Sequence, residues 1–130
     1  MKITVDEARE YFAHVSQQKA SMITPDKLPE NGVVYYAQGG VCLMFNDAHW
    51  PGVAMVHCAV NQDAHGAAVE PARAIIAEFI DDYQPQAIIA WLDEKNRAAI
   101  AYSRRVGFQD CGRFELPSGG VIQQEFQAWA

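Results

Sequence analysis

The stretch Asn96–Phe108 reads NRAAIAYSRRVGF and predicts one short helix with both ends specified. Asn96 is a favourable N-cap because its side-chain oxygen can accept a hydrogen bond from a free N–H group of the first turn. Gly107 suits the position after the last turn because glycine adopts a positive φ without steric cost. The apolar residues fall on one face at helical spacing: Ala99, Tyr102 and Val106.

Before this helix, the chain alternates between apolar runs and a helical pattern. The runs Val53–Val60 and Ala87–Leu92 are nearly continuous and predict strands buried on both faces. Between them, apolar residues recur at helical spacing and predict a helix over Val69–Tyr83. Because a strand–helix–strand crossover of this length has few other solutions, the two strands are expected to be adjacent and parallel.

The N-terminal part of the chain predicts a helix and a hairpin. Residues Thr4–Glu7 fit a capping box, so a helix is expected over Val5–Lys19. The runs Val33–Ala37 and Val41–Phe45 flank a Gly-Gly pair, which predicts an antiparallel hairpin.

After the capped helix, the segment GFQDCGRF, the turn PSGG and the segment VIQQEFQAW predict two further strands. The resulting order is α, β, β, β, α, β, α, β, β. This order predicts an α/β or α+β fold, with a single mixed sheet and helices on both faces. No repeat or linker interrupts residues 1–130, so one domain is expected.

Composition narrows the classes of function. A chain of 130 residues with 50% apolar residues can bury a core without disulfides or metals. Its net charge of −6 repels phosphate backbones, so nucleic acid is not an expected partner. No apolar run approaches the roughly 20 residues of a membrane span, and a cytoplasmic protein without a membrane partner is expected. Cys42, Cys58 and Cys111 sit in apolar runs and are expected to be buried free thiols.

The run from Val60 to Phe108 resembles the core of the GNAT superfamily of acyl-CoA-dependent N-acyltransferases. In that family the last core helix carries the pattern N-x-x-A-x-x-x-Y-x-K-x-G-F. Five residues match this pattern here, with the family spacing: Asn96, Ala99, Arg105, Gly107 and Phe108. The order of elements also agrees from Val33 to the C-terminus. The resemblance therefore implies the GNAT-like acyl-CoA N-acyltransferase fold.

The resemblance also implies a site for acetyl-CoA, the cosubstrate of the family. The family loop R-G-x-G-x-G/A aligns with the segment from His65 to Glu70, and Gly66 is the glycine that is kept. Free N–H groups at a helix N-terminus receive the coenzyme pyrophosphate in such loops. Glu70 brings negative charge to this loop, so weaker affinity than a complete motif gives is expected. The implied coenzyme-binding residues are Ala59, Val60, His65, Gly66, Ala67, Ala68, Val69 and Asn96.

The resemblance implies three candidate catalytic residues. The family tyrosine that can protonate the leaving thiolate aligns with Ser103, while Tyr102 occupies the preceding position. Either Tyr102 substitutes for it, or water or another residue serves, or the step is not catalysed. His57 lies within a strand, near the place where the family positions the group that deprotonates the amine. Its near-neutral pKa suits a general base, and the alternative is a core histidine bonded to a loop carbonyl.

No metal site is expected, because His49, His57 and His65 lack a helical i, i+4 pair and an accompanying cluster of Cys or Asp. Within the superfamily, the chain is similar to small GNAT-like proteins of tailed bacteriophages and prophages. Two functions follow from these resemblances. The first is acetyl transfer to a small-molecule or protein amine in the cytoplasm of a bacterial host. The second is a binding or assembly role in a phage particle, without catalysis, with virion association and a phage structural partner. A homodimer is a further expectation.

Overall fold

The computed structural model describes residues 1–13, 28–48, 50–61 and 66–127. Their elements, in chain order, are β1 (Lys2–Ile3), α1 (Val5–Phe12), β2 (Val33–Gln38), β3 (Val41–Asp47), β4 (Val53–Val60), α2 (Val69–Tyr83), β5 (Ala87–Asp93), α3 (Arg97–Val106), β6 (Gln109–Leu116) and β7 (Gly119–Gln127). Within these ranges, no helix has the length and apolar character needed to cross a bilayer.

The strands form one seven-stranded mixed sheet with the order β1-β2-β3-β4-β5-β7-β6. Strands β4 and β5 pair in parallel, as the sequence predicts, and α2 makes the crossover between them. All the other pairings are antiparallel, including the predicted β2–β3 hairpin and the β6–β7 pair. The predicted mixed sheet is therefore confirmed.

Helices cover both faces of this sheet. On one face, here called the α1 face, Ala8 and Phe12 of α1 pack on Tyr35, Cys42 and Met44 of β2 and β3. On the other, here called the α2–α3 face, a larger cluster joins both later helices to the sheet. Its fully buried side chains include Tyr36, Val41, Phe45, Ile75, Ile76 and Ile88. Because side chains alternate along a strand, each strand residue can be assigned to one face.

The local sequence signals act as predicted. Thr4 and Glu7 form the capping box of α1, and Asn96 Oδ1 accepts a hydrogen bond of 3.2 Å from the N–H of Ala99. Gly39 and Gly40 both have positive φ in the β2–β3 turn, where two-residue hairpin turns require it. The part of the predicted first helix from residue 14 to Lys19 lies outside the described residues.

Two expectations are corrected, and one strand is added. Trp91 of β5 is 41% exposed, and β4 is half-buried at four successive residues, so neither strand is buried on both faces. The cause for β4 is its separation from β5, described below. Cys111 is exposed, because it lies on the edge strand β6, while Cys42 is buried and Cys58 half-buried. Strand β1, which pairs with β2, was not predicted because two residues carry no periodic signal.

The edge strand β6 is exposed along almost its whole length. Its register against β7 shifts between Asp110 and Gly112, which is a bulge at Cys111. Arg113 bridges two carboxylates, with Nε 2.7 Å from Glu94 and Nη2 3.0 Å from Glu115. The edge of the sheet is thus irregular and charged.

The C-terminal end of α3 depends on Gly107. Its φ is +128°, and an added Cβ would lie 2.9 Å from Cε2 of Phe126. Gly107→Ala is expected to lower the free energy of unfolding by about 1–3 kcal/mol, because it combines backbone strain with a steric clash. Urea denaturation monitored by circular dichroism measures this change. The matched control is Gly112→Ala, where φ is ordinary and no atom lies within 4 Å. Equal stability of the two variants would contradict the argument.

Candidate functional site

A gap opens in the sheet between its two parallel strands. Strand β4 pairs with β5 only through Val53, Ala54 and Met55, whereas it pairs with β3 from Ala54 to Val60. Strand β5 continues to Asp93 while paired with β7. Among the described residues, Val56–Ala59 therefore have no strand partner on the β5 side. Because N–H and C=O groups alternate between the two sides of a strand, some of them point into the gap and can bind an extended ligand.

The N-terminus of α2 lies at the same edge of the sheet as the open end of this gap, because α2 follows the carboxyl end of β4. Its N-cap residue is Ala68, which makes no side-chain capping bond. Asn96, in contrast, caps α3 with its side chain. Because alanine has no side-chain acceptor, the N-cap residue leaves the first-turn N–H groups of α2 uncapped by its own side chain, and the helix dipole makes this end favourable for an anion.

Tyr102 connects α3 to the start of α2. Its hydroxyl donates a hydrogen bond of 2.8 Å to the carbonyl oxygen of Ala68 and also interacts with the thiol of Cys58. Burial raises the pKa of Tyr102 far above its ordinary value, with further contributions from Cys58. Burial also raises the pKa of Cys58 to about 12, although the bond to Tyr102 opposes this shift. Both groups are therefore neutral at physiological pH, and Cys58 is not a nucleophile there.

The described residues of the predicted coenzyme loop surround the beginning of α2. Gly66 and Ala67 are exposed, and Gly66 has a φ of +91° in the left-handed region. Ala68 is buried as the N-cap, and Val69 begins the helix half-buried. His65 lies outside the described residues.

The other predicted coenzyme residues lie on β4 and at the start of α3. The side chain of Ala59 is fully buried on the α1 face, so it offers only its backbone to a ligand. Val60 packs at the margin of the α2–α3 core. Asn96 uses its side-chain oxygen as the helix cap.

His57 lies on the α1 face of β4, opposite Met44 of β3. This follows from the alternation of the strand, since Val56 and Cys58 pack with the α2–α3 core. The imidazole is half-buried, and it makes no hydrogen bond to any residue that the structure describes. Burial lowers the pKa of His57 below its ordinary value of 6.5. The imidazole is therefore neutral at pH 7, with a lone pair available to accept a proton.

The candidate catalytic residues thus lie on different faces of the sheet. Tyr102 is on the α2–α3 face, and His57 is on the α1 face beside the gap. Ser103 is half-buried on α3. Its carbonyl oxygen accepts hydrogen bonds from the backbone N–H groups of Gly107 and Phe108. Within the described ranges, no three His, Cys, Asp or Glu side chains are grouped as metal ligands.

Two residues of this region escaped the sequence analysis. Cys58 interacts with Tyr102, but a cysteine in an apolar run gives no sign of a long-range contact. The apolar run Ala87–Leu92 predicts that Trp91 is buried, yet its side chain is 41% exposed. The Nε1–H of Trp91 donates a hydrogen bond of 3.0 Å to Oε1 of Gln123. The polar Asp93 two residues later, on the same face, was the available signal.

Comparisons with known proteins find similarity in structure alone. No family sequence profile matches the chain, and no curated protein matches its sequence. Solved structures do match over nearly the whole chain. Aminoglycoside acetyltransferase AAC(6')-Ib, in complex with paromomycin and acetyl-CoA, superposes with a TM-score of 0.74 and 16% identity. The match covers 99% of this chain and 93% of that one.

Two acetyltransferases from Vibrio species are similar to the same degree. Ribosomal-protein-S5-alanine acetyltransferase of Vibrio fischeri has a TM-score of 0.73 at 12% identity, covering 98% of this chain and 91% of its own. Spermidine N-acetyltransferase of Vibrio cholerae has a TM-score of 0.72 at 10% identity, covering 98% and 94%. The chain therefore has the fold of the GNAT acyl-CoA-dependent N-acyltransferases.

Proposed function

We propose that the protein is an acetyl-CoA-dependent N-acetyltransferase. The observation that carries the proposal is the gap between β4 and β5, where Val56–Ala59 pair with no described strand on the β5 side and the N-terminus of α2, with Ala68 as its N-cap, lies at the mouth. An extended thioester fits such a gap, because amide groups of its pantetheine arm can continue the interrupted ladder. The pyrophosphate then lies against the N–H groups of α2.

The reaction proposed is direct transfer. The neutral amine nitrogen attacks the thioester carbon from the α1 face, a C–N bond forms, the C–S bond breaks, and the coenzyme leaves as a thiolate. His57 accepts the proton released from the amine nitrogen, which its neutral imidazole can do. Backbone N–H groups of β4 stabilise the negative charge on the thioester oxygen. The products are an N-acetylated amine and coenzyme A.

Tyr102 has a positioning role in this proposal. Its single hydroxyl proton is donated to Ala68, the N-cap of the helix proposed to bind the pyrophosphate, and its pKa is raised. The leaving thiolate needs little help, since an ordinary thiol has a pKa of about 8.5. Ser103 lies at the family position of the proton donor but is a poor acid at neutral pH, so it contributes little to this step.

The functions of the structural neighbours support the reaction class. AAC(6')-Ib is found in complex with acetyl-CoA and with coenzyme A, and the three neighbours are acetyltransferases named for an aminoglycoside, for ribosomal protein S5 alanine and for spermidine. We extend to this chain the coenzyme and an amine acceptor. The alternative that the sequence resemblance implies, an assembly role in a phage particle, is decided by the coenzyme-binding test below.

The first prediction concerns coenzyme binding. Acetyl-CoA is expected to bind, and Glu70→Gln is expected to tighten binding about twofold to fivefold at low salt, because one negative charge leaves the first turn of α2. Isothermal titration calorimetry measures both dissociation constants. Asp81→Asn is the matched control, since it removes the same charge about 16 Å further along the helix. If neither the parent nor Glu70→Gln binds acetyl-CoA, the assembly role is favoured instead.

The second prediction concerns the base. His57→Gln is expected to lower kcat about a hundredfold, while the dissociation constant of acetyl-CoA changes less than twofold. In the parent, kcat/KM should rise with pH through an inflection below 6.5, because burial lowers the pKa of His57 and only the neutral form accepts a proton. Steady-state kinetics from pH 5 to pH 8 test this. A kcat of His57→Gln equal to that of the parent would refute the role of His57 as the general base.

The third prediction separates positioning from acid catalysis. Tyr102→Phe removes the bond to Ala68 and is expected to weaken acetyl-CoA binding about fivefold, the usual scale of one hydrogen bond. At saturating acetyl-CoA, kcat should stay within about threefold of the parent. Ser103→Ala is the control and should change neither the dissociation constant of acetyl-CoA nor kcat. A large loss of kcat at unchanged affinity would instead make Tyr102 the proton donor.

A further inference from the structure

Trp91 is a large aromatic residue held rigidly at the surface. It is 41% exposed, although it lies in the middle of the sheet rather than in a loop. Its Nε1 is fixed by Gln123 at 3.0 Å, and its ring meets that of Phe114 edge-on, with 5.0 Å between centroids and 71° between planes. Two neighbours on β7 and β6 therefore fix the indole, and its remaining surface is open to a ligand.

The register places Trp91 and His57 on opposite sides of the gap, on the same face. Ile88, Ala90 and Leu92 of β5 belong to the α2–α3 core, so Ile89 and Trp91 lie on the α1 face. The last pair between the parallel strands is Met55 with Ile89. His57 and Trp91 each lie two residues beyond that pair, where the strands have separated. A molecule next to His57 on the α1 face therefore also has Trp91 beside it.

On the strands around Trp91, the α1 face carries two carboxylates, one of which, that of Asp93, also accepts a hydrogen bond from the backbone N–H of Lys95. Register places Asp93 on this face of β5, and Glu125, the partner of Ile89, on this face of β7. Among the described residues of β5, β6 and β7, no Lys or Arg occupies a position on this face, since Arg113 pairs with Ile122 and belongs to the other one. The carboxylates and the aromatic face both favour a cation.

We propose that Trp91 is a specificity-determining residue, which binds a second, protonated amino group of the acceptor while His57 faces the amine to be acetylated. This rests on the acetyl transfer proposed above and adds the substrate class: an aliphatic diamine or polyamine. The ammonium group lies against the indole, with Asp93 and Glu125 contributing negative potential, and the alkyl chain spans the distance to His57. A monoamine of equal length lacks this contact.

The test compares 1,4-diaminobutane with n-butylamine as acceptors for acetyl-CoA. The parent should have the higher kcat/KM for the diamine. Trp91→Leu should lower the diamine-to-monoamine ratio about threefold to thirtyfold, the range of one cation–π contact, and Trp91→Phe should retain part of the preference. Trp50→Leu is the matched control, because Trp50 is 73% exposed in the loop before β4, at the opposite edge of the sheet from the mouth of the gap. A ratio that Trp91→Leu leaves unchanged overturns the proposal.

A binding measurement separates this proposal from the reaction on which it rests. Calorimetry of 1,4-diaminobutane with the same four proteins needs no turnover, and thermal unfolding followed by circular dichroism verifies that each variant is folded. Diamine binding that weakens in Trp91→Leu, less in Trp91→Phe and not in Trp50→Leu supports the cation site even if no amine is acetylated, and the failure then lies with the proposed reaction. Equal binding of diamine and monoamine by the parent refutes the cation site, whether or not acetyl transfer occurs.

Discussion

Backbone hydrogen bonding between β4 and β5 stops after three residue pairs, and every part of the candidate site is arranged around this interruption. A sheet normally satisfies its N–H and C=O groups by pairing each strand with both neighbours. Here β4 remains hydrogen-bonded to β3, and β5 remains hydrogen-bonded to β7, so the two parallel strands separate toward their carboxyl ends. Backbone N–H and C=O groups that would be hydrogen-bonded in a continuous sheet are thus available to bind a ligand. The crossover through α2 then brings a helix N-terminus to the same edge, where ligands of open α/β sheets commonly bind.

The arrangement also explains how the coenzyme loop proposed before α2, which has fewer glycines than the family pattern, is compatible with the fold. Backbone donors do not depend on which side chain follows, so replacing loop glycines affects space and charge more than the number of N–H groups. Tyr102 compensates in part, because its bond to Ala68 fixes the residue at which α2 begins. The phenol reaches this carbonyl from the α2–α3 face, while Ser103 occupies the neighbouring position on α3. Helix α3 therefore uses its aromatic residue to hold the first residue of α2's N-terminus in place.

The sequence was most informative where a signal is local. Asn96, Gly107 and the capping box at Thr4 each act through atoms within a few residues, so composition and spacing identified them. Helical and strand periodicity likewise identified α2, β4 and β5, and their parallel order followed from the crossover. The contact between Tyr102 and Cys58, and the exposure of Trp91, depend on which strand separates from which. No periodicity encodes that separation, because the apolar runs of β4 and β5 continue past their last pair and are interrupted only by His57 in β4 and by Asp93 at the end of β5.

The two edge strands of the sheet, β1 and β6, differ in length and in their capacity to pair with a strand of another molecule. β1 is two residues long and offers little backbone for pairing, whereas β6 presents eight residues with a free edge. An extended edge of that length is a template for intermolecular β-sheet and hence for aggregation. The bulge at Cys111 breaks its regular hydrogen-bond spacing, and the cluster of Glu94, Arg113 and Glu115 places charge where an incoming strand would have to be desolvated. No helix among the described residues covers β6, so these features let this edge of the sheet face solvent, and colloidal stability depends there on a few charged side chains.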